Sequence, residues 1–417
     1  MSLEDCVLAA FAFLCLRALT NLVFVCGFIG WISYRGAQEI ETPLPPGMIA
    51  LIVPVFRETA TVAQSVNHFA SLARRWNLSL LIVGTARERS TEGINPTLLA
   101  ARNAAQSMAF PYAEILEAPS LESNRAHQVN YAVGQTAGSS IRIMTFDVDS
   151  RVSTSCLNNI MANIGHELIH TPALFLDNFD HLSIIQKGQA LYQSRWTIAH
   201  ECKRIWLNAG TGLVNYHLVG HGLCIAKSLL ARAGMFSEKF ILEDVHLGYR
   251  LGVLGSSAVI VPDFELADSP QTFMEGWRQQ IRWSAGVQQY PLYCFDFLRE
   301  FPNVSIWIKL RAIVYGAQGL LSSLTWNISS YVFAISLVFA ICGEILAICF
   351  LGIYFAELLL CSVLFWRRGY IRWRDLLGSP LYLSLELLKR SFPANEALIL
   401  SLLHRRAELR KADHHEN

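Results

Sequence analysis

Two aspartates, Asp147 and Asp149, stand in Phe146-Asp147-Val148-Asp149-Ser150, directly after the strand-like apolar run Ile141-Arg142-Ile143-Met144-Thr145. A strand alternates its side chains, so residues two apart face the same way. Two carboxylates at that spacing, just beyond a strand end, can converge on one hard cation such as Mg2+ or Mn2+. Magnesium keeps one or two carboxylates, some waters and the substrate's phosphate oxygens. The chemistry in prospect is metal-assisted handling of a diphosphate at the carboxyl edge of a sheet. Asp-x-Asp alone is more often a solvated turn, so the rest of the chain has to discriminate.

A second acidic pair, Glu243-Asp244, follows Phe240-Ile241-Leu242 and precedes Val245-His246-Leu247-Gly248-Tyr249-Arg250. Acid pairs in front of a helix commonly serve its positive end. A carboxylate there can also take the proton of an attacking hydroxyl. Further on, Gln279, Arg282 and Trp283 fall on one helical turn, where positions three and four apart share a face. They match either a ligand platform or an interfacial Trp with a snorkelling Arg.

These residues need a scaffold, and the chain alternates short apolar strands with amphipathic helices from Met48 onward. Ile49 to Val55 is expected as a buried strand, and Val62, Val66, Phe69 and Ala73 as a helix face behind a Thr59 or Thr61 cap. Leu78 to Val83 and Ala113 to Leu116 are further strands, and Ala126, Val129 and Val133 mark a helix running into the Ile141 strand. Leu157, Ile160, Met161, Ile164 and Leu168 predict another helix, and Ala173 to Leu176 another strand. Such alternation predicts an α/β fold with a mainly parallel sheet and helices on both faces. Ligands in such sheets sit outside the carboxyl ends of strands, where Asp147 and Asp149 are.

The ends of the chain differ in texture. Hydrophobic residues make up 53% of the 417, and charged residues only 16%, which places part of the chain in a lipid bilayer. The net charge of +1 gives no electrostatic reason to expect nucleic acid. Six of the ten cysteines fall in apolar runs and no Cys-x-x-Cys pair occurs, so reduced buried thiols and a cytoplasmic catalytic part are expected. Val7 to Ile32 is long enough to span, with Arg17 near its middle at an insertion cost of about 2.5–3.5 kcal/mol. Thr42 to Gly47 forms a Pro-rich hinge. Trp307 to Ser323 is expected as an interfacial helix, and Leu324 to Cys342 and Ile345 to Trp366 as a hairpin of spans turning at Gly343-Glu344. The four arginines between Arg367 and Arg374 place that loop in the cytoplasm by positive-inside counting. The tail from Leu381 is expected as interfacial helices, and His414-His415 is too short to form a site.

Four local patterns also occur in one order: Val53-Pro54-Val55-Phe56-Arg57-Glu58; Asn124-Arg125-Ala126-His127-Gln128-Val129-Asn130 followed by the Asp147/Asp149 pair; Ile241-Leu242-Glu243-Asp244; and Gln279-Gln280-Ile281-Arg282-Trp283. In this order, and flanked by spans, they resemble the membrane-bound family-2 inverting glycosyltransferases, the group that holds cellulose, chitin and hyaluronan synthases. The resemblance covers roughly Met48 to Tyr290. It implies a GT-A catalytic domain (48–300), an N-terminal anchor (1–35) and a membrane-associated C-terminal part (301–417), in a multi-pass protein of the cell inner membrane. It implies a nucleotide-sugar donor, a saccharide or lipid-linked acceptor, and a divalent metal on Asp147 and Asp149. Glu58, Arg125, Asn130 and Arg282 would serve the donor with the two aspartates, and Arg125 stands where the family usually has Lys. Asp244 would be the general base, and His221, Glu243, Gln279 and Trp283 would face the acceptor. One departure is plain. The family shows an Asp after the second strand for the nucleoside, whereas Leu81 to Arg89 offers only Glu88. That gap keeps open a catalytically silent relative acting as a membrane scaffold or partner subunit.

Overall fold

The computed structural model describes residues 3–35, 45–108, 113–121 and 124–403. Thr42 to Leu44 of the expected hinge, and His414-His415, lie outside the described residues. The chain divides into two compact units, one of Ala37–Ala173 with Leu207–Leu266, the other of Met1–Gly36, Leu174–Trp206 and Ala267–Asn417.

Ten strands occur among the described residues: β1 (Ile49–Pro54), β2 (Ser79–Thr85), β3 (Ala113–Ala118), β4 (Arg142–Thr145), β5 (Arg151–Val152), β6 (Leu168–His170), β7 (Ala173–Leu174), β8 (Leu223–Ala226), β9 (Val259–Ile260) and β10 (Glu265–Leu266). Seven form one sheet in the order β3-β2-β1-β4-β8-β6-β9. Its first four members pair in parallel, as strand–helix alternation requires. β8 runs antiparallel between β4 and β6. β1 is buried along its whole length, because helices cover both faces of a parallel sheet. Val62, Val66, Phe69 and Ala73 of the helix Val62–Trp76 are all buried in the core beside β1 and β2. Each large side chain buried there contributes about 1.5–3 kcal/mol.

Two expectations are corrected. The helix drawn through Leu157 to Leu168 stops at Ala162, capped by Asn163. Leu168 instead opens β6, which has β8 on one side and β9 on the other. Two ladders satisfy the backbone of Leu168 to His170 where helical spacing of its side chains had predicted otherwise. The strand expected over Ala173 to Leu176 ends at Leu174.

In the other unit, three helices are long and apolar enough to cross a membrane, Glu4–Arg35, Ile306–Ile341 and Ile345–Arg367. The expected interfacial stretch Trp307 to Ser323 is continuous with the span that follows it, in one helix Ile306–Ile341. No Pro interrupts this stretch and its two glycines, Gly316 and Gly319, lie against Tyr290 and Cys294, so nothing breaks the ladder. Gly343, at φ +91°, makes the turn into Ile345–Arg367. Within this unit Arg195 Nε donates to Glu357 Oε1 at 2.7 Å, both side chains being almost fully buried. The helix Phe273–Val287 starts with a capping box of Thr272 and Glu275. Two C-terminal helices, Trp373–Lys389 and Ser391–Leu402, hold it: Gln280 Nε2 donates to Glu386 at 2.7 Å and Trp277 Nε1 to Glu396 at 2.8 Å.

Candidate active site

The turn after β4 carries the aspartates. Asp147 N–H donates to Ser150 Oγ and Ser150 N–H to the Asp147 carbonyl, both at 3.1 Å, which locks the turn. Arg125 is the first residue of the helix Arg125–Gln135, whose N-cap, Asn124, accepts from the His127 N–H. Its guanidinium donates from Nε and Nη2 to Asp147 Oδ1 at 3.1 and 2.8 Å, from Nη1 to Glu243 Oε1 at 2.8 Å, and from Nη2 to the Gly220 carbonyl at 2.6 Å. One fork therefore joins the first acidic pair to the second. A Cβ at Gly220 would lie 2.3 Å from Arg125 Nη1, so a side chain there would push the fork aside.

Glu243 and Asp244 open the helix Glu243–Val253, and Asp244 Oδ1 accepts from the Val245 N–H at 2.7 Å. Burial and the neighbouring Glu243 charge push the Asp244 carboxyl up to about 7, against the opposing pull of Arg125 and of the Val245 and Gly220 backbone N–H groups. A carboxyl poised there can hold or release a proton near neutrality. Burial acts to lower the pKa of Arg125, but Asp147, Glu243 and Asp244 hold it above its ordinary value, so it stays charged.

A residue that the sequence did not single out completes the unit. Glu265, on β10, is fully buried. The pairing of β10 with β5 aligns Glu265 with Val152, which brings it beside Ser150 and His221. Ser150 Oγ donates to Glu265 Oε1, and His221 Nδ1 lies 3.0 Å from the same oxygen. Burial pulls the imidazole down, but the Glu265 charge and hydrogen bond outweigh it, and with Asp147 and Asp149 they raise His221 to about 10. Gly222 is a forced glycine: its φ is +67°, and a Cβ would lie 2.5 Å from the Thr171 carbonyl and 2.8 Å from Glu265 Oε2.

Because His221 is raised, its contribution to stability is full below the ordinary imidazole range and is lost as pH climbs to about 10. Glu265→Gln removes the partner and leaves a buried charge, at a cost of about 3 kcal/mol at pH 7. Thermal melts from pH 6 to 10 should show a lower midpoint for the variant at neutral pH and loss of that slope.

Glu58 and Glu88 lie together at the ends of β1 and β2. Thr97 Oγ1 accepts from the Glu58 N–H at 3.1 Å and donates to Glu88 Oε1, while Thr61 Oγ1 donates to Glu58 Oε2 at 2.8 Å. The 3-10 turn Ala86–Glu88 carries Glu88 back to the sheet edge, beside Glu58. Glu88 Oε2 is buried without a hydrogen-bond partner among the described residues. Asn130 is not gathered with the acids: its amide donates to the Phe236 carbonyl at 2.8 Å and accepts from the Phe236 N–H at 3.2 Å.

Gln279, Arg282 and Trp283 belong to the helix Phe273–Val287 of the other unit. Gln279 Oε1 accepts from Gln193 and Gln189 at 3.2 and 3.3 Å. The Trp283 ring lies 5.7 Å from that of Phe175.

Among the described residues no group of three or more His, Cys, Asp and Glu forms a ready-made metal cage. A hard cation of the magnesium type asks only one or two carboxylates of the protein. Asp147 and Asp149 fit that demand, in a site where Glu243, Asp244 and Glu265 add negative charge and Arg125 and His221 offset only part of it.

The family model described as glycosyl transferase family group 2 matches residues 142–366, just over half of the 417. No curated protein matches the sequence. Among solved structures, the mannosyltransferase PcManGT from Pyrobaculum calidifontis, in complex with GDP-Man and Mn2+, is 17% identical over 91% of this chain and 99% of its own, at a TM-score of 0.44. S. aureus TarS 1-349 is 12% identical over 77% of this chain and 91% of its own, at 0.35. Glucosyl-3-phosphoglycerate synthase from Mycobacterium tuberculosis, with Mn2+, UDP and phosphoglyceric acid, is 14% identical over 54% of this chain and 71% of its own, at 0.34. These likenesses are distant. With its mainly parallel sheet and the acids gathered at one sheet edge, the chain belongs to glycosyl transferase family group 2 and is a glycosyltransferase of the GT-A fold.

Proposed function

We propose that the chain is a membrane-anchored inverting glycosyltransferase that moves a sugar from a nucleotide-sugar donor to a saccharide or lipid-linked acceptor. The observation that carries this is the Arg125 fork, which joins Asp147 to Glu243 and leaves Asp244 next to it with a pKa of about 7. Asp147 and Asp149 would hold the divalent cation, which when bound neutralises charge on the departing diphosphate. Arg125 offers guanidinium N–H groups that suit a phosphate oxygen as well as a carboxylate. Asp244 takes the proton of the acceptor hydroxyl as that oxygen attacks the anomeric carbon. One base and one displacement invert that carbon. His221, kept protonated by Glu265, supplies a fixed positive charge beside the two aspartates. Glu58 and Glu88 are the acids available to the nucleoside, Glu88 standing in for the family's Asp. Three helices long and apolar enough to cross a membrane support a multi-pass reading, and positive-inside counting of the Arg367–Arg374 loop supports a cytoplasmic catalytic unit.

The test is to incubate membranes holding the full chain with a panel of nucleotide sugars, with and without Mn2+, and to identify products by mass spectrometry and anomeric configuration by NMR. Retention of configuration would overturn the single-displacement mechanism. Silence with every donor, together with no nucleotide binding by calorimetry, would favour the scaffold. In an active preparation, kcat/KM should fall about tenfold per pH unit below about 7, because the base must be ionised. A bound divalent cation moves that limb to lower pH, so the apparent pKa should drop as Mn2+ is raised.

A further inference from the structure

The membrane-associated unit carries ionisable groups that sugar transfer does not use. Arg17 lies midway along the helix Leu3–Arg35 and is exposed, beside Phe13, Leu16, Leu19 and Val23, which are exposed and apolar. An ionisable residue at membrane depth is costly and marks a site with a partner, yet among the described residues no carboxylate pairs with Arg17. One turn on, Asn21 accepts from Lys203 Nζ at 2.7 Å. Trp206 packs edge-on against Phe24, Phe28 and Trp31 at 5.2–5.6 Å. The turn Lys203–Trp206, with Arg204 in it, therefore runs along the face of the first helix.

Immediately before that turn the backbone is π-helical, Thr197–Cys202. Such bulges occur mostly at functional positions, because they shift side chains out of regular register. Just upstream is Arg195, 1% exposed. Its Nε is taken by Glu357, its Nη2 lies 3.1 Å from His200 Nε2, and its guanidinium lies over the Tyr192 and Tyr354 rings at 4.9 and 5.3 Å, while Nη1 is buried with no hydrogen-bond partner among the described residues. Burial, and the charges of Arg195, Arg17, Arg204 and Lys203, hold His200 well below its ordinary range and so neutral. Arg17, Arg195, Lys203 and Arg204 all lie close enough to act on His200, and Arg17 and Arg204 each act on Lys203, so this is a basic cluster that a phosphate group suits.

We propose that Arg17, Lys203 and Arg204, with Arg195 behind them, bind the phosphate headgroup of a membrane lipid between apolar helices. Guanidinium forks suit phosphate geometry, and basic pockets between membrane helices take lipid headgroups. The exposed Leu16, Leu19 and Val23 offer the hydrocarbon chain a dry surface that inorganic phosphate cannot use. That this lipid is the sugar acceptor rests on the transfer reaction proposed above; the headgroup site does not.

The experiment is native mass spectrometry of the full chain in detergent, titrated separately with a polyisoprenyl monophosphate, phosphatidylglycerol, phosphatidylcholine and inorganic phosphate. The expected result is retention of the isoprenyl phosphate, weakened about tenfold or more by Arg17→Gln and by Arg204→Gln, and largely restored by Arg17→Lys. Mn2+-dependent nucleotide binding by the same variants should be unchanged, which also shows that they are folded. Equal retention of phosphatidylcholine, equal binding of inorganic phosphate, or wild-type lipid retention by both Gln variants would overturn the proposal. Retention of phosphatidylglycerol as tight as that of the isoprenyl phosphate upholds the headgroup site and removes the acceptor assignment. Lipid retention in a protein that transfers no sugar would count against the transfer reaction alone.

Discussion

Asp244→Asn should lower sugar transfer by about a thousandfold, within the range that removal of a general base produces, while donor affinity measured by calorimetry stays within a few-fold of wild type. The asparagine keeps the size of the side chain and its bond from the Val245 N–H but cannot accept the acceptor's proton. The same change should stabilise the protein. The Asp244 carboxyl is raised in the folded state, so between the ordinary carboxylate range and about pH 7 the folded chain binds more protons than the unfolded one. Stability from this group therefore falls as pH rises through that window. The variant escapes that loss, and its melting temperature at pH 8 should exceed that of wild type. A variant that transfers sugar at near wild-type rate would remove Asp244 from the mechanism. One that is inactive and also less stable would indicate a structural defect instead.

The second large effect is expected at Arg125. Arg125→Met deletes the fork that bonds Asp147, Glu243 and the Gly220 carbonyl at once. It leaves Glu243, 12% exposed at its side chain, without its cation, whereas Asp147, 37% exposed, can recruit water. The cost is about 2 kcal/mol of stability, at the low end for breaking an ion pair because of that exposure. Transfer should fall at least a hundredfold, because the two acid pairs lose the tie that orients them. Arg125→Lys is the informative control. An ammonium supplies the charge but not the fork, so it should recover donor binding more than turnover. Equal kcat and KM for wild type, Met and Lys variants would show that the fork is merely structural.

Much of this arrangement was legible from residue types and spacing. The alternation of short apolar runs with amphipathic helices predicted the parallel part of the sheet, because burial on both faces forces a continuous apolar strand such as Ile49–Pro54. Asp147 and Asp149 were placed by the strand that precedes them, and Glu243-Asp244 by the helix they open. Elements built from only a few residues were not legible. β8 is four residues long and β10 two, too short to show a period of two, and both exist because a neighbouring strand offers them a ladder. The helical spacing of Leu157 to Leu168 misled for the same reason, since β8 and β9 took Leu168 to His170 into the sheet.

Local sequence thus determined which acids are present, which strand end and helix start carry them, and which helices can enter a bilayer, because those properties depend on residues within one or two turns of each other. Tertiary structure alone decided that Arg125 joins Asp147, 22 residues on, to Glu243, 118 residues on, that Glu265 keeps His221 charged, and that Glu88 returns to Glu58 through Thr97. Each of these contacts closes a long loop whose ends carry no mutual signal in the sequence. They form only once the sheet and its helices have packed, when the cost of burying each charge selects the partner that offsets it.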